Sequence, residues 1–207
     1  MFVDSAFLTA GPLPPVVVIG SGPAGMTLAV ELARRGHACL VLEAGEDGYS
    51  PESQDFFAGR TVGDRYFDLD QSRLRQLGGA SNHWTGICRA LEPSDFEARP
   101  GIGLPGWPIS AEDLAPYDAD ARRMLEIGAT PTFPLDDDLD EVAFVESPPV
   151  NMAEKHRAAI AGSARLHVAL GTAVEQIEAA SGKVMALHLR LASGARARIL
   201  PRVCVIA

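Results

Sequence analysis

The stretch 16–25, taken with Glu43, restricts the fold more than any other part of the chain. Val16, Val17, Val18 and Ile19 are four consecutive β-branched residues, the pattern of a strand buried on both faces of a parallel sheet. Gly20, Gly22 and Gly25 follow in GxGxxG spacing. Gly20 permits a tight turn, Gly22 lets a pyrophosphate approach the backbone, and Gly25 lets the next helix lie close to the strand. That helix opens near Pro23 and Ala24, so its first amides face the anion.

The flanks decide whether the glycines mean anything. Residues 23–35 place Met26, Leu28, Ala29, Leu32 and Ala33 on one helical face, and Gly36 is a natural stop. A second strand over 38–42 ends at Glu43, eighteen residues after Gly25 and close to the ~20-residue spacing at which an acid accepts hydrogen bonds from a ribose diol. An acid there favours FAD or NAD over NADP.

The 207 residues suffice for one substantial core and a small second lobe. A net charge of −9 without clusters of Lys and Arg argues against a nucleic-acid partner. Apolar runs stay below the roughly 18 residues of a membrane span, and no secretory signal is read in the first fifteen residues. Cys39, Cys88 and Cys204 lack CxxC spacing, which fits reduced thiols in a cytoplasmic protein and disfavours a zinc site.

Along the chain, residues 1–15 read as an irregular arm, kept so by Pro12, Pro14 and Pro15. Residues 44–70 form a long excursion anchored by Phe56, Phe57, Tyr66 and Phe67. In RLRQLGGASNHWTGICR, Gly78 and Gly79 allow a turn against a ligand, with Ser81, Asn82, His83 and Thr85 offering polar groups beside Trp84. Ser110 and Asp113 start a helix continuing toward Ile127, with Leu114, Tyr117, Ala121, Met124 and Leu125 on its apolar face, and Trp107 is expected to anchor a core. The acids Asp136, Asp137, Asp138, Asp140 and Glu141 read as a solvated loop rather than a metal site. A short helix over 154–163, a strand over 166–170, an extended piece over 172–179, strands over 184–191 and 195–200, and a central parallel strand over 203–206 complete the chain. His167 and His188 fall in strands and read as structural.

The segments GSGPAGMTLAVELARRGHACLVLEAG, LGGASNHWTG, LEPSDFEARP and GWPISAEDLAPYD, in this order, resemble the glucose-methanol-choline (GMC) family of FAD-dependent oxidoreductases. Within it, GGASNHWTG is most similar to the flavin-attachment segment of pyranose oxidase. The resemblance implies an α/β, Rossmann-like FAD-binding domain with a parallel central sheet and a β-meander, plus part of a substrate-facing lobe. It divides the chain into residues 1–92 and 151–207 of the cofactor domain and 93–150 of the lobe. It also implies FAD held by Gly20, Gly22, Pro23, Ala24, Gly25, Glu43 and Ala44, a flavin wall of Gly78, Gly79, Ser81, Asn82, His83 and Thr85, and a backbone contact from Val174 to adenine. His83 is either bonded covalently to the flavin or packed against it, and Thr85 falls near the flavin N5 edge.

The function implied is oxidation of a CH–OH group of a sugar or other alcohol, with oxygen, a quinone or another carrier taking the electrons. The family's catalytic histidine pair has no counterpart in the chain, so a C-terminal half supplied in cis or trans is expected. The alternative is a truncated, non-catalytic FAD-binding module or one half of a split complex. A nicotinamide-dependent dehydrogenase is disfavoured by GGASNHWTG.

Overall fold

Five parallel strands carry the first of two compact units. The computed structural model describes residues 1–129, 132–134 and 140–207. One unit comprises Met1–His83 and Asn151–Ala207, the other Trp84–Val150.

In the first unit the strands are β1 (Phe2–Val3), β2 (Val16–Ile19), β3 (Cys39–Leu42), β4 (Leu166–Ala169) and β8 (Val203–Ile206), in the order β1-β4-β3-β2-β8. Val16 pairs with Cys39 on one side and Val203 on the other, and Cys39 pairs with Leu166. Helix α1 (Pro23–Arg34) joins β2 to β3, and α2 (Met152–Gly162) precedes β4. Between β4 and β8 runs an antiparallel meander of β5 (Thr172–Ala180), β6 (Lys183–Leu191) and β7 (Arg196–Ile199). The α/β class with a parallel central sheet is therefore as the sequence indicates.

Alternation along the strands produces three layers. Val17, Leu40 and Leu42 share one cluster with Leu187, Leu189, Leu191 and Ile199 of the meander. Val18 and Val41 point the other way and are fully buried, as are Met26 and Ala29 of α1 and Ile160 of α2. The sheet thus carries helices on one face and the meander on the other. Helix α1 stops as its sequence suggests: Gly36 takes φ 88°, its N–H donates to Ala33 O, and His37 N–H donates to Leu32 O.

Four expectations need correction. The arm over 1–15 is not irregular throughout, because β1 pairs with Val168 and Ala169, Leu8 is buried in the core, and the Phe7 ring stacks 4.8 Å from His167. The prolines at 12, 14 and 15 restrain only their own surroundings and leave the upstream donors free to pair. The excursion after β3 is anchored by polarity rather than aromatic burial. Phe56, Tyr66 and Phe67 are exposed, whereas Gln54 is buried, donating from Nε2 to Asp70 O and Arg73 O and accepting at Oε1 from Arg75 N–H. The strand β8 lies at the edge of the sheet rather than in its centre.

The fourth correction concerns the second unit. Its capping box at Ser110 and Asp113 forms as read, but Pro116 breaks the helix into Ala111–Leu114, a tighter turn Ala115–Tyr117, and Asp118–Leu125. Leu114 and Tyr117 are exposed. Trp107 is 65% exposed and anchors no core; Phe96 is the buried aromatic, and its carbonyl accepts Trp107 N–H. The side chains of the acidic run Asp136, Asp137, Asp138, Asp140 and Glu141 lie outside the described residues.

Two buried histidines set the acid stability. Desolvation, with the charge of Lys155 adding to it, holds His156 below the ordinary histidine value, and desolvation does the same for His167. His156 Nε2 and His167 Nδ1 have no hydrogen-bond partner. The unfolded chain takes up protons from about pH 6.5 downward while the folded chain resists, so stability falls as pH drops below that point. Urea unfolding midpoints are expected to decline between about pH 7 and 5, and His156→Leu is expected to flatten that decline. An unchanged slope in the variant would refute this assignment.

Candidate functional site

The site of the first unit lies beyond the C-terminal ends of β2 and β3, where ligands bind in open α/β sheets. Gly25 fixes the relation of α1 to the loop before it: a Cβ there would stand 2.1 Å from Gly20 O. No other residue type allows this approach. Gly22 is the opposite case, with open space where its Cβ would point.

Helix α1 begins with an anion-binding end. Pro23 has no N–H, and Ala24 and Gly25 precede the first intrahelical bond, from Met26 N–H to Gly22 O. The first turn holds no acidic residue, so the positive end of the helix dipole is not neutralised from within.

Glu43 is buried and its carboxylate is the hub of the site. Oε2 accepts the N–H and the hydroxyl of Ser21, and Oε1 accepts Gly45 N–H at 2.8 Å. Ser21 Oγ in turn accepts Gly78 N–H at 3.1 Å. One carboxylate therefore ties together the glycine loop, the turn after β3 and the Gly78–Gly79 turn. A carboxylate offers about four acceptor positions, so room remains for a ligand hydroxyl.

Gly78 (φ 84°) and Gly79 (φ 51°) are both left-handed, and a Cβ on Gly79 would lie 3.3 Å from Gly22 Cα. The turn therefore packs against the glycine loop. A cleft of about 370 Å³ is walled by Gly20, Gly22, Glu43, Ala44, Gly79 and Val174, all expected from the sequence. A second cleft of about 740 Å³ shares Ala44 and Val174 with it.

Ser81 and Asn82 were expected to present polar groups to a ligand, and their side chains are instead engaged inside the protein. Ser81 Oγ donates to Gly78 O and accepts Met152 N–H; Asn82 Nδ2 donates to Leu77 O and Gly79 O, and its Oδ1 accepts from Asn151. They hold the glycine turn to the start of α2. His83 is exposed, and its ring makes no hydrogen bond with the described residues. Thr85 is exposed and belongs to the second unit, in which Trp84 Nε1 donates to Val150 O.

Sequence reasoning missed Ser21, Gly45 and Arg75. A Cβ on Gly45 would stand 2.1 Å from Arg75 O, so this glycine is needed for the turn after β3. Arg75 lines both clefts, and the signal was present in two arginines, Arg73 and Arg75, just ahead of a glycine doublet. Among the described residues no group of three or more His, Cys, Asp and Glu could hold a metal ion. Burial pushes the Cys39 thiol up to about 11, which leaves it an inert core residue donating to Ala29 O. No helix among the described residues is long and apolar enough to cross a membrane.

The hub generates a stability prediction. Ser21→Ala leaves Gly78 N–H without its acceptor in a buried position and removes one donor from Glu43, so a loss of about 1–3 kcal/mol is expected in denaturant unfolding. A loss below about 0.5 kcal/mol would mean that these bonds are not maintained in solution.

Comparison with known proteins agrees with this geometry. The family model described as FAD dependent oxidoreductase matches residues 15–205. A 2-methyl-1,2-propanediol dehydrogenase of Mycolicibacterium austroafricanum is 28% identical over 130 residues, covering 49% of this chain and 22% of that protein. A flavin-dependent monooxygenase of Mycobacteroides abscessus is 48% identical over 50 residues, covering 20% of this chain and 10% of that protein. Among solved structures, pyridoxine 4-oxidase from Mesorbium loti superposes with a TM-score of 0.58 at 18% identity, over 94% of this chain and 49% of that one. A fungal aryl-alcohol oxidase gives 0.58 at 16% identity, over 94% and 45%. An FAD-dependent oxidoreductase from Chaetomium thermophilum gives 0.61 at 14%, over 94% and 45%. At these identities the structural likeness is one of fold, and the chain spans about half the length of those solved chains. With the family model matched over nearly its whole length, the chain belongs to the FAD-dependent oxidoreductase family.

Proposed function

We propose that the chain is the FAD-binding part of a GMC-type oxidoreductase that oxidises a CH–OH group of an alcohol or sugar. The observation that carries this reading is the open side of Gly22, set between the free N–H groups of α1 and the buried carboxylate of Glu43. Such a cradle fits a dinucleotide diphosphate. Gly20, Gly22, Pro23, Ala24 and Gly25 would hold the pyrophosphate with backbone groups, Glu43 and Ala44 the ribose, and Val174 the adenine. Gly78 and Gly79 would border the flavin, with Ser81 and Asn82 holding that turn in place. Thr85 would lie near the flavin N5 edge.

When bound, the flavin supplies a hydride acceptor for the carbon that carries the substrate hydroxyl. The chain's own residues bind and orient the cofactor; the groups that take the hydroxyl proton would come from further sequence, in cis or in trans. An alcohol or sugar substrate is supported by the likeness to the diol dehydrogenase. Oxygen, a quinone or another carrier would be the electron acceptor. The unpaired cysteines support the cytoplasm as its compartment.

Two measurements test the reading. The purified protein is expected to bind FAD and show a flavin absorption spectrum, whereas Gly22→Val is expected to keep its unfolding midpoint, there being open space for the side chain, and to lose at least about tenfold in FAD affinity. Colourless protein that takes up no FAD, or a Gly22→Val variant that binds it unchanged, would overturn the assignment. The second concerns His83, whose exposed ring suits a pyranose-oxidase-like covalent attachment. Intact mass under denaturing conditions is expected to carry an increment matching FAD that disappears in His83→Ala. Quantitative release of flavin on denaturation would make His83 a neighbour of a dissociable cofactor.

A further inference from the structure

We propose that Arg75 reads the AMP half of the dinucleotide, supplying the cation for its phosphate. This inference rests on the FAD reading above and deepens it. Its starting point is that the two clefts of the first unit meet along a wall containing Ala44, Phe56, Arg75 and Val174, and Arg75 is the one basic residue lining both. One cleft contains the glycine loop and Glu43, so a nucleotide with its diphosphate at Gly22 and its ribose at Glu43 extends toward that shared wall.

Arg75 is held for this role on every side. Its N–H donates to Gln54 Oε1 at 3.1 Å, its carbonyl accepts the Ser53 hydroxyl at 3.2 Å, and its Nη1 donates to Ser53 Oγ at 2.8 Å. The guanidinium carbon lies 5.0 Å from the centroid of the Phe56 ring, which occupies one face of the guanidinium. The remaining donors stay available, and a fork fixed in this way loses little entropy on meeting a phosphate.

The charge also needs a counterion. Arg157 pairs with Asp47, Arg190 with Glu175 and Arg198 with Glu178, yet Arg75, half-buried, forms no ion pair among the described residues. A cation partly removed from water and lacking a carboxylate is favoured by an anionic ligand. A phosphate bound there would reach a site prepared from one side by the N-terminus of α1 and from the other by a fixed arginine.

The test is a FAD titration of the wild-type protein, Arg75→Met and Arg75→Lys, with the unfolding midpoint of each measured without ligand. Arg75→Met is expected to raise the FAD Kd by about 10- to 100-fold and Arg75→Lys by no more than about threefold, since lysine keeps the point charge. The wild-type Kd should also rise with NaCl more steeply than that of Arg75→Met. Equal binding by wild type and Arg75→Met, or Arg75→Lys as weak as Arg75→Met, would overturn the assignment. Should Arg75→Met fail to fold, the wild-type salt titration and Arg75→Lys decide: salt-insensitive binding, or a large loss with lysine, rejects it. Wild-type protein that binds no FAD sinks the FAD reading itself, an outcome distinct from these.

Discussion

The Glu43 carboxylate is the interaction on which the remainder of the first unit depends. It is buried and takes three donors, two from Ser21 and one from Gly45, while Ser21 passes the connection to Gly78. A buried carboxylate is costly unless it is fully hydrogen-bonded, and here the bonds come from three separate loops. Three turns far apart in sequence are thereby fixed at one end of the sheet. The same carboxylate retains acceptor capacity toward the cleft, so one side chain both builds the site and faces its ligand.

Fixing the loops works because the layers beneath them are rigid. Fully buried residues of β2 and β3 are covered on one side by α1 and α2 and on the other by the meander, so the strand ends that carry Gly20 and Glu43 cannot shift independently. Gly25 sets the distance between helix and loop, and a side chain there would collide with Gly20 O. The direction of the α1 dipole and the position of the carboxylate therefore follow from packing, before any ligand is considered.

What the sequence disclosed and what it hid divide along the same line. The stretch from β2 through β3 was legible because its signals are local: a β-branched run, a 3.6-residue periodicity, three glycines at fixed spacing and an acid at the strand end. The start of α2 and the meander strands were legible for the same reason. The pairing of Phe2–Val3 with β4 depends on a partner more than 160 residues away, and no local pattern encodes it. Gln54 anchors its loop through carbonyls brought near by the fold, and the exposed Phe56 next to it gives the opposite impression in sequence. Pro116 was a local signal given too little weight against the apolar periodicity around it. Ser81 and Asn82 were correctly placed beside the glycine doublet, but whether a polar side chain faces a ligand or the backbone is decided by neighbours such as Met152 and Asn151.

This division also explains how the fold persists in solved relatives at 14–18% identity. The elements that make the dinucleotide cradle are mostly backbone: a free helix N-terminus, two left-handed glycines and a strand end. These constrain only a few positions, chiefly Gly20, Gly22, Gly25, Glu43, Gly78 and Gly79, and leave the surrounding side chains free to vary provided the layers stay packed. Recognition of a cofactor's diphosphate is therefore readable from a short motif, whereas recognition of a substrate depends on side chains that the motif does not constrain. Arg75 lies between these cases. Its backbone is fixed by Gln54 and Ser53 as firmly as the glycine turns are, but what it contributes to a ligand is carried by a side chain, so it belongs to the part of the site that each member of the family is free to set for itself.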